Sequence, residues 1–348
     1  MTLSATATAV RNNHRGTHHA THSDAATRVE AQVQAQVEAH VTANAAAGDT
    51  QAAPVLPVDR TLVHRAHLKD VLPTQLTQHS DTSFTVSARW PREHALYLTP
   101  DGRYTASLVL ETIRQTTLLV SHAGLGVPLG HHFVMWQLCH RLDTGWLPAR
   151  SADPASVTLE VEVTEVRRRA SVPASVSMEM VLKSGDRTVG SGSIRFNITS
   201  PAAYLRIRGQ LPDTSTLGPT AALPAPIDPS IVHRSRTCDV VLTEDADGGW
   251  QLRADPSNQL FFDRPNDHVP AMVLVEAAQQ AAHLSAATGR FHPQASEMTF
   301  SRYVELGTPC RIEARPGIAE DGKAHVEVTG HQDGQLAFTI RFEQSVTR

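Results

Sequence analysis

The chain has 348 residues, 41% of them hydrophobic and 19% charged, which is enough to build two packed domains rather than one. A formal net charge of -4 leaves no basic surplus for neutralising a run of phosphates, so the composition speaks against nucleic-acid binding. Cys139, Cys238 and Cys310 are odd in number and never form a CxxC pair, which argues against a disulfide framework or zinc ribbon. No apolar run reaches the roughly 20 residues a membrane helix needs, so a cytoplasmic protein is expected.

In chain order, residues 1–58 are rich in Ala, Thr, His and Gln and read as a mostly disordered leader. Val29, Val33, Val37 and Val41 fit a helical spacing, but the stretch also alternates apolar with polar residues, so periodicity assigns it no fold. Residues 59–199 form a first expected domain. Its apolar stretch 105–123, free of internal Pro and Gly, predicts a helix buried nearly all round. Alternation in "HHFVMWQLCH", through Val157, Leu159, Val161 and Val163, and over Val172 to Leu182 predicts strands. His131, His132 and His140 sit in the first of these without a nearby carboxylate cluster, so no metal is expected there.

Residues 200–229 contain Pro201, Pro212, Pro219, Pro224, Pro226 and Pro229 and read as a linker without regular structure. Residues 230–348 form the second expected domain, with a buried helix over 270–287. Its strands pass through Ala324, Val326 and Val328 and through Leu336, Phe338, Ile340 and Phe342. In each half, one apolar helix followed by antiparallel strands implies an α+β arrangement with a sheet wrapped around the helix.

The two halves repeat each other. "VHRAHLKDVLPT" opens the first and "VHRSRTCDVVLT" the second; "SLVLETIRQT" answers "MVLVEAAQQA". His64 and His233 are 169 positions apart (233 − 64), and Glu111 and Glu276 are 165 apart (276 − 111), a drift of four residues over two independently matched blocks.

Glu276 lies inside the run Met272, Val273, Leu274, Val275, Ala277, Ala278, where an ionised carboxylate needs a partner. Without one, a raised pKa would make it a proton-transfer group. Glu276, Gln279, Gln280 and His283 form one helical stripe, and Glu111, Arg114 and Gln115 draw the same stripe in the first half. A solvent face is the plain alternative, but it asks only for polarity, whereas both copies keep Glu followed by Gln four residues on. Asp267 and His268 precede Pro270, where they either cap the helix or serve in proton transfer beside its N-terminus. The first half has Arg103 in the aligned place. Arg114 either pairs with Glu111 or grips a phosphate. His64 and His233 read as structural. No GxGxxG, Walker, GxSxG or HExxH pattern occurs, so no nucleotide cofactor, serine-hydrolase elbow or metal is expected.

The string "DHVPAMVLVEAAQQAA", with the VHR repeat and "SPAAYLRIRG", resembles the AfsA-like A-factor biosynthesis proteins of actinomycetes over about residues 60–346. The resemblance implies two tandem hot-dog domains forming a pseudo-dimer within one chain. It also implies an acyltransferase that joins a β-ketoacyl group on acyl carrier protein to the hydroxyl of dihydroxyacetone phosphate, giving the ester precursor of a butenolide or γ-butyrolactone signal. Carried over by position, Glu276, His268 and Glu111 are the expected catalytic residues. Arg114, Gln115, Asp267, Gln279 and Gln280 are the expected substrate contacts. Gln279 departs from the pattern, because the family usually has Arg there; either Arg114 supplies the missing charge or substrate or activity differs. The expected mechanism has Glu276 as general base, helix N–H groups near His268 at the oxyanion and an apolar acyl tunnel between the halves. A thioesterase or hydroxyacyl dehydratase acting on acyl thioesters is the alternative enzyme, a non-catalytic acyl-signal binder the alternative from another class. A homodimer of whole chains is left open.

Overall fold

A computed structural model describes residues 55–99, 102–143, 155–209, 223–285, 291–319 and 322–344. Nearly all of the leader, including its valine series, lies outside the described residues. These residues form thirteen strands in one antiparallel sheet and three α-helices.

The first half supplies β1 (Val55–Pro57), β2 (Pro73–Gln78), β3 (Ser83–Arg89), helix α1 (Ala106–Leu119), β4 (His132–Leu142), β5 (Ser156–Arg169), β6 (Val172–Ser184) and β7 (Arg187–Thr199). After helix α2 (Pro201–Arg208), the second half supplies β8 (Leu242–Glu244), β9 (Trp250–Leu252), helix α3 (Ala271–Ser285), β10 (Ala295–Phe300), β11 (Cys310–Ile318), β12 (Ala324–Gln332) and β13 (Gln335–Gln344). The order across the sheet is β1-β2-β3-β5-β6-β7-β4-β10-β13-β12-β11-β9-β8. Read outward from the β4–β10 seam, six strands of each half follow in the same order, with β1 an extra strand at the first half's edge, so the fold is a pseudo-dimer of two helix-wrapping half-sheets. At the seam His140 faces Ser296, and their side chains meet at 2.5 Å.

Side-chain alternation explains which face turns inward. In β5, Val157, Leu159, Val161 and Val163 are buried while Glu160 and Glu162 are exposed. In β6, Val176, Met178, Met180 and Leu182 do the same. Leu108, Val109, Leu110 and Ile113 of α1 pack into that face without exposure, and a π-helical turn, Val120–Gly124, extends the helix. Gly192 of β7 lets the helix come close, since a Cβ there would lie 2.5 Å from Ile113 Cδ1.

Two boundaries differ from the sequence expectation. Strand β1 falls inside the stretch read as leader; it is the edge of the sheet, where Pro57 can sit because its missing N–H needs no ladder partner. Helix α2 occupies the start of the expected linker. Pro201 stands in its first turn, where a proline costs no hydrogen bond, and the Ser200 hydroxyl accepts from the Ala203 N–H. No helix among the described residues is long and apolar enough to cross a membrane.

Candidate active site

Each VHR triplet ends a short 3-10 helix, Arg60–Val63 or Pro229–Val232, whose first turn is capped by Asp59 or Asp228. His64 and His233 then take left-handed backbone conformations, with φ of 55° and 53°. Side chains other than glycine adopt this region only when the surroundings impose it. The turn aims the next residue at the central helix. Arg65 reaches Glu111 Oε1 through Nε at 3.1 Å and Nη2 at 2.5 Å, and Arg234 grips Glu276 with Nε to Oε1 at 2.6 Å and Nη2 to Oε2 at 2.8 Å. Both carboxylates are fully buried. The polar stripe is therefore not a solvent face.

The repeated glutamines make an equally matched set of bonds. Gln115 accepts from the Leu72 N–H at 2.9 Å and donates to the Asp70 carbonyl at 2.8 Å and to Glu111 Oε1 at 2.7 Å. Gln280 accepts from the Val241 N–H at 3.1 Å and donates to the Asp239 carbonyl at 2.9 Å and to Glu276 Oε1 at 2.6 Å. Glu and Gln thus staple the segment after each VHR to its helix. This shared structural work accounts for their repetition without any chemistry.

The halves diverge one turn along. Arg114 closes the Glu111 network with Nε to Oε2 at 2.8 Å and Nη2 to Oε1 at 2.7 Å. Burial alone would push the Glu111 carboxyl up, but Arg114 and then Arg65 outweigh it and hold its pKa at about 2, so no raised pKa arises there. At the matching place in α3, Gln279 turns to the other helix and donates to Ser107 Oγ at 2.7 Å, while the Ser107 hydroxyl lies 3.4 Å from Glu276 Oε2.

Asp267 and His268 do not cap α3. His268 Nδ1 lies 2.6 Å from Asp267 Oδ1, the Tyr204 hydroxyl donates to that same oxygen at 2.8 Å, and Arg208 Nε reaches Asp267 Oδ2 at 3.1 Å. Burial raises the Asp267 pKa, but the bonds from His268, Tyr204 and Arg208 bring it below the usual carboxylate range. Arg208 also grips Glu305 with both terminal nitrogens, at 2.6 and 2.7 Å, and its guanidinium lies 4.1 Å over the Tyr303 ring. Tyr303 meets the His268 ring at 4.6 Å, and His132 stacks flat on Tyr204 at 3.6 Å. The His268 side chain keeps 26% of its surface open. Its Nε2 has no protein partner among the described residues.

A group of arginines adjoins the dyad. Asp263 accepts from Arg65 Nη1 at 3.3 Å and from the Ala66 N–H at 3.2 Å, which seats the loop before Asp267 on the first-half VHR. Arg264 follows, exposed and without a side-chain hydrogen bond among the described residues. Burial lowers the His132 pKa; after burial, Asp267 raises it and Arg264 and His268 lower it.

The structure thus gathers Asp267 with His268 in one cluster and Glu111, Arg114 and Gln115 in another, while Glu276 and Gln279 meet Ser107 across the contact between the helices and Gln280 bonds to the segment after the second VHR. Sequence reasoning missed Arg65 and Arg234, although each repeats inside VHR and a repeated cation calls for a repeated anion. It also missed Tyr204 and Arg208, although both lie in "SPAAYLRIRG", and Tyr303 and Glu305, which no motif marks. A cavity of about 690 Å³, lined by Phe84, Cys139, Glu162, Ser193 and Glu297 among others, contains none of the expected site residues.

The family model for the A-factor biosynthesis hotdog domain matches residues 44–200 and again residues 217–348. The chain belongs to the A-factor biosynthesis hotdog family. Its two matched segments coincide with the two helix-wrapping halves. It is 39% identical over 284 residues to a 2-oxo-3-(phosphooxy)propyl 3-oxoalkanoate synthase of Streptomyces virginiae, covering 81% of this chain and 95% of that one. To the synthase of the same name from Streptomyces griseus it is 38% identical over 299 residues, covering 84% and 96%. Among solved structures, an acyl-ACP thioesterase of Bacteroides thetaiotaomicron VPI-5482 aligns with a TM-score of 0.46 and 14% identity, covering 75% of this chain and 97% of that one.

Proposed function

We propose that this member of the A-factor biosynthesis hotdog family is a 2-oxo-3-(phosphooxy)propyl 3-oxoalkanoate synthase, an acyltransferase that joins a β-ketoacyl thioester to dihydroxyacetone phosphate. Identity of 38–39% over more than four-fifths of the chain to synthases of that name supports the activity. The proposed acyl donor is held on acyl carrier protein, in the cytoplasm.

The observation that carries the chemistry is the Asp267–His268 dyad with its outward imidazole nitrogen. With Asp267 ionised, Nδ1 carries the proton and Nε2 keeps a lone pair. His268 Nε2 takes the proton from the acceptor hydroxyl as its oxygen attacks the thioester carbonyl carbon. The tetrahedral intermediate collapses with cleavage of the C–S bond, and the imidazolium returns the proton to the thiolate.

Glu276 is reassigned from base to scaffold. Its two oxygens are occupied by Arg234, Gln280 and Ser107, and it has no exposed surface from which to exchange a proton with a substrate. Glu111 holds the same kind of post. Arg65, Arg114 and Arg264 stand against Glu111 and Asp263, so the group has one positive charge more than it neutralises. Arg114 and Arg264 are the proposed contacts of the substrate phosphate, and together they supply the charge that Gln279 lacks.

Mixing the protein with a β-ketoacyl-carrier thioester and dihydroxyacetone phosphate, with intact-mass detection of products, tests the activity. The phosphorylated ester is expected. Free β-keto acid or enoyl thioester without the three-carbon phosphate would establish a thioesterase or dehydratase instead, and tight acyl binding without turnover a binder.

A further inference from the structure

Helix α2 joins the two halves, yet its side chains point at His268, a histidine that the first half does not duplicate. Its Tyr204 hydroxyl donates to Asp267 Oδ1, the oxygen that also faces His268 Nδ1, and lies 3.4 Å from that nitrogen. The Tyr204 ring is fixed by its flat stack on His132, from β4, and by an edge contact with Tyr303 at 6.3 Å. Four residues on, Arg208 fastens the other Asp267 oxygen, the Asp267 carbonyl and both oxygens of Glu305.

We infer that α2 is part of the active site and that Tyr204 is a positioning residue for His268: by holding Asp267 Oδ1 it fixes the imidazole ring and its tautomer, leaving Nε2 free toward the substrate. The inference rests on the reading of His268 as the proton carrier. The groups facing the dyad are Tyr204 and Arg208 from α2, His132 from β4, Tyr303 and Glu305 from the loop after β10, and Arg264 from the preceding loop. Tyr204 alone among them donates to the carboxylate oxygen shared with the histidine.

The test is Tyr204→Phe, which keeps the stack on His132 and removes only the hydroxyl. Loss of the shared donor frees Asp267 Oδ1 to turn away from His268 and weakens the carboxylate's hold on the imidazolium, so the acid limb of kcat/KM moves to lower pH. We expect kcat to fall about tenfold with KM for both substrates within twofold. The nitrogen-15 histidine spectrum is expected to show a mixture of His268 tautomers in place of one. Arg208→Lys provides the second variant, with the same tautomer mixing but a smaller loss of kcat. An unchanged pH limb together with an unchanged tautomer in Tyr204→Phe would overturn the positioning role, even if the rate fell. His268→Asn separates the two levels: if it is fully active, the reading of His268 fails, whereas if it is inactive and Tyr204→Phe matches wild type, only the role of Tyr204 fails.

Discussion

Gln279 donates its side-chain N–H to the hydroxyl of Ser107 across the contact between the two central helices, at 2.7 Å. The matching position in the first helix is Arg114, which stays on its own side and pairs with Glu111. The repeat is therefore symmetric in its Glu, Gln and VHR, and at this position the two halves part. Ser107→Ala strips a buried partner from Gln279 and, at longer range, from Glu276, which costs about 1–3 kcal/mol. Urea unfolding monitored by tryptophan fluorescence measures it, and a change under 0.5 kcal/mol would show that the bond does not couple the helices.

Removing one member of the buried ion pair is a larger disturbance. Arg234→Met leaves Glu276 charged without its cation, with an expected loss of about 3–5 kcal/mol. The double variant Arg234→Met with Glu276→Leu recovers most of it, because an apolar pair of similar size leaves no charge unpaired. A double-mutant cycle in urea measures the coupling. For Glu276→Gln the scaffold role predicts lower stability but a kcat within about threefold of wild type per folded molecule; a loss of a hundredfold or more at unchanged stability would restore Glu276 to the chemistry.

Arg114→Gln and Arg264→Gln address the phosphate. Each removes a cation from a group with a surplus of one, so KM for dihydroxyacetone phosphate rises about tenfold or more while KM for the acyl thioester holds. Steady-state kinetics with both substrates varied checks this. Equal effects on both KM values would move these residues away from the phosphate.

Acid stability follows from the buried titratable groups. His122 and His140 are both held down to about 4 by burial, with His131 and Arg264 adding at the first, where a bond to the Val127 carbonyl opposes, and Arg141 at the second. The unfolded chain takes up these protons near pH ~6.5, so the stability of the neutral buried rings is present above that pH and drains away as pH falls toward 4, by at most about 1.4 kcal/mol per pH unit for each ring. Glu111, held at about 2, contributes in full above its unfolded value of ~4.3, and that contribution drains away as pH falls from there through 2. Urea midpoints should therefore decline between pH 6.5 and 4.5, and the double variant His140→Met with Ser296→Ala should decline less steeply than wild type.

Much of the fold was legible because its signals are local. Alternation in β5, β6, β12 and β13 and the apolar runs of α1 and α3 each report burial of a single element, and the tandem repeat reported the architecture. Helix α2 escaped because its proline was counted as a breaker, although a proline at the first turn after a serine is a start signal. Within the site, Glu111, Glu276 and the glutamines were visible as a repeated stripe, but their repetition reflected a shared staple to VHR. Tyr204 and Arg208 gave no local signal of their role because their partner Asp267 lies 59–63 positions away, and Glu305 pairs with Arg208 across 97 positions, so only the folded sheet brings them together. His268 stood out for the opposite reason, as the histidine its twin half lacks.

The most direct test is the rate of phosphorylated ester formation by His268→Asn, compared with wild type at pH 7.5 under saturating β-ketoacyl-carrier thioester and dihydroxyacetone phosphate. An asparagine keeps a polar contact to Asp267 but offers no basic nitrogen to the hydroxyl, so kcat should fall by a factor of about 10²–10⁴ with the fold intact. A folded variant that makes the ester at more than a tenth of the wild-type rate would contradict the central claim.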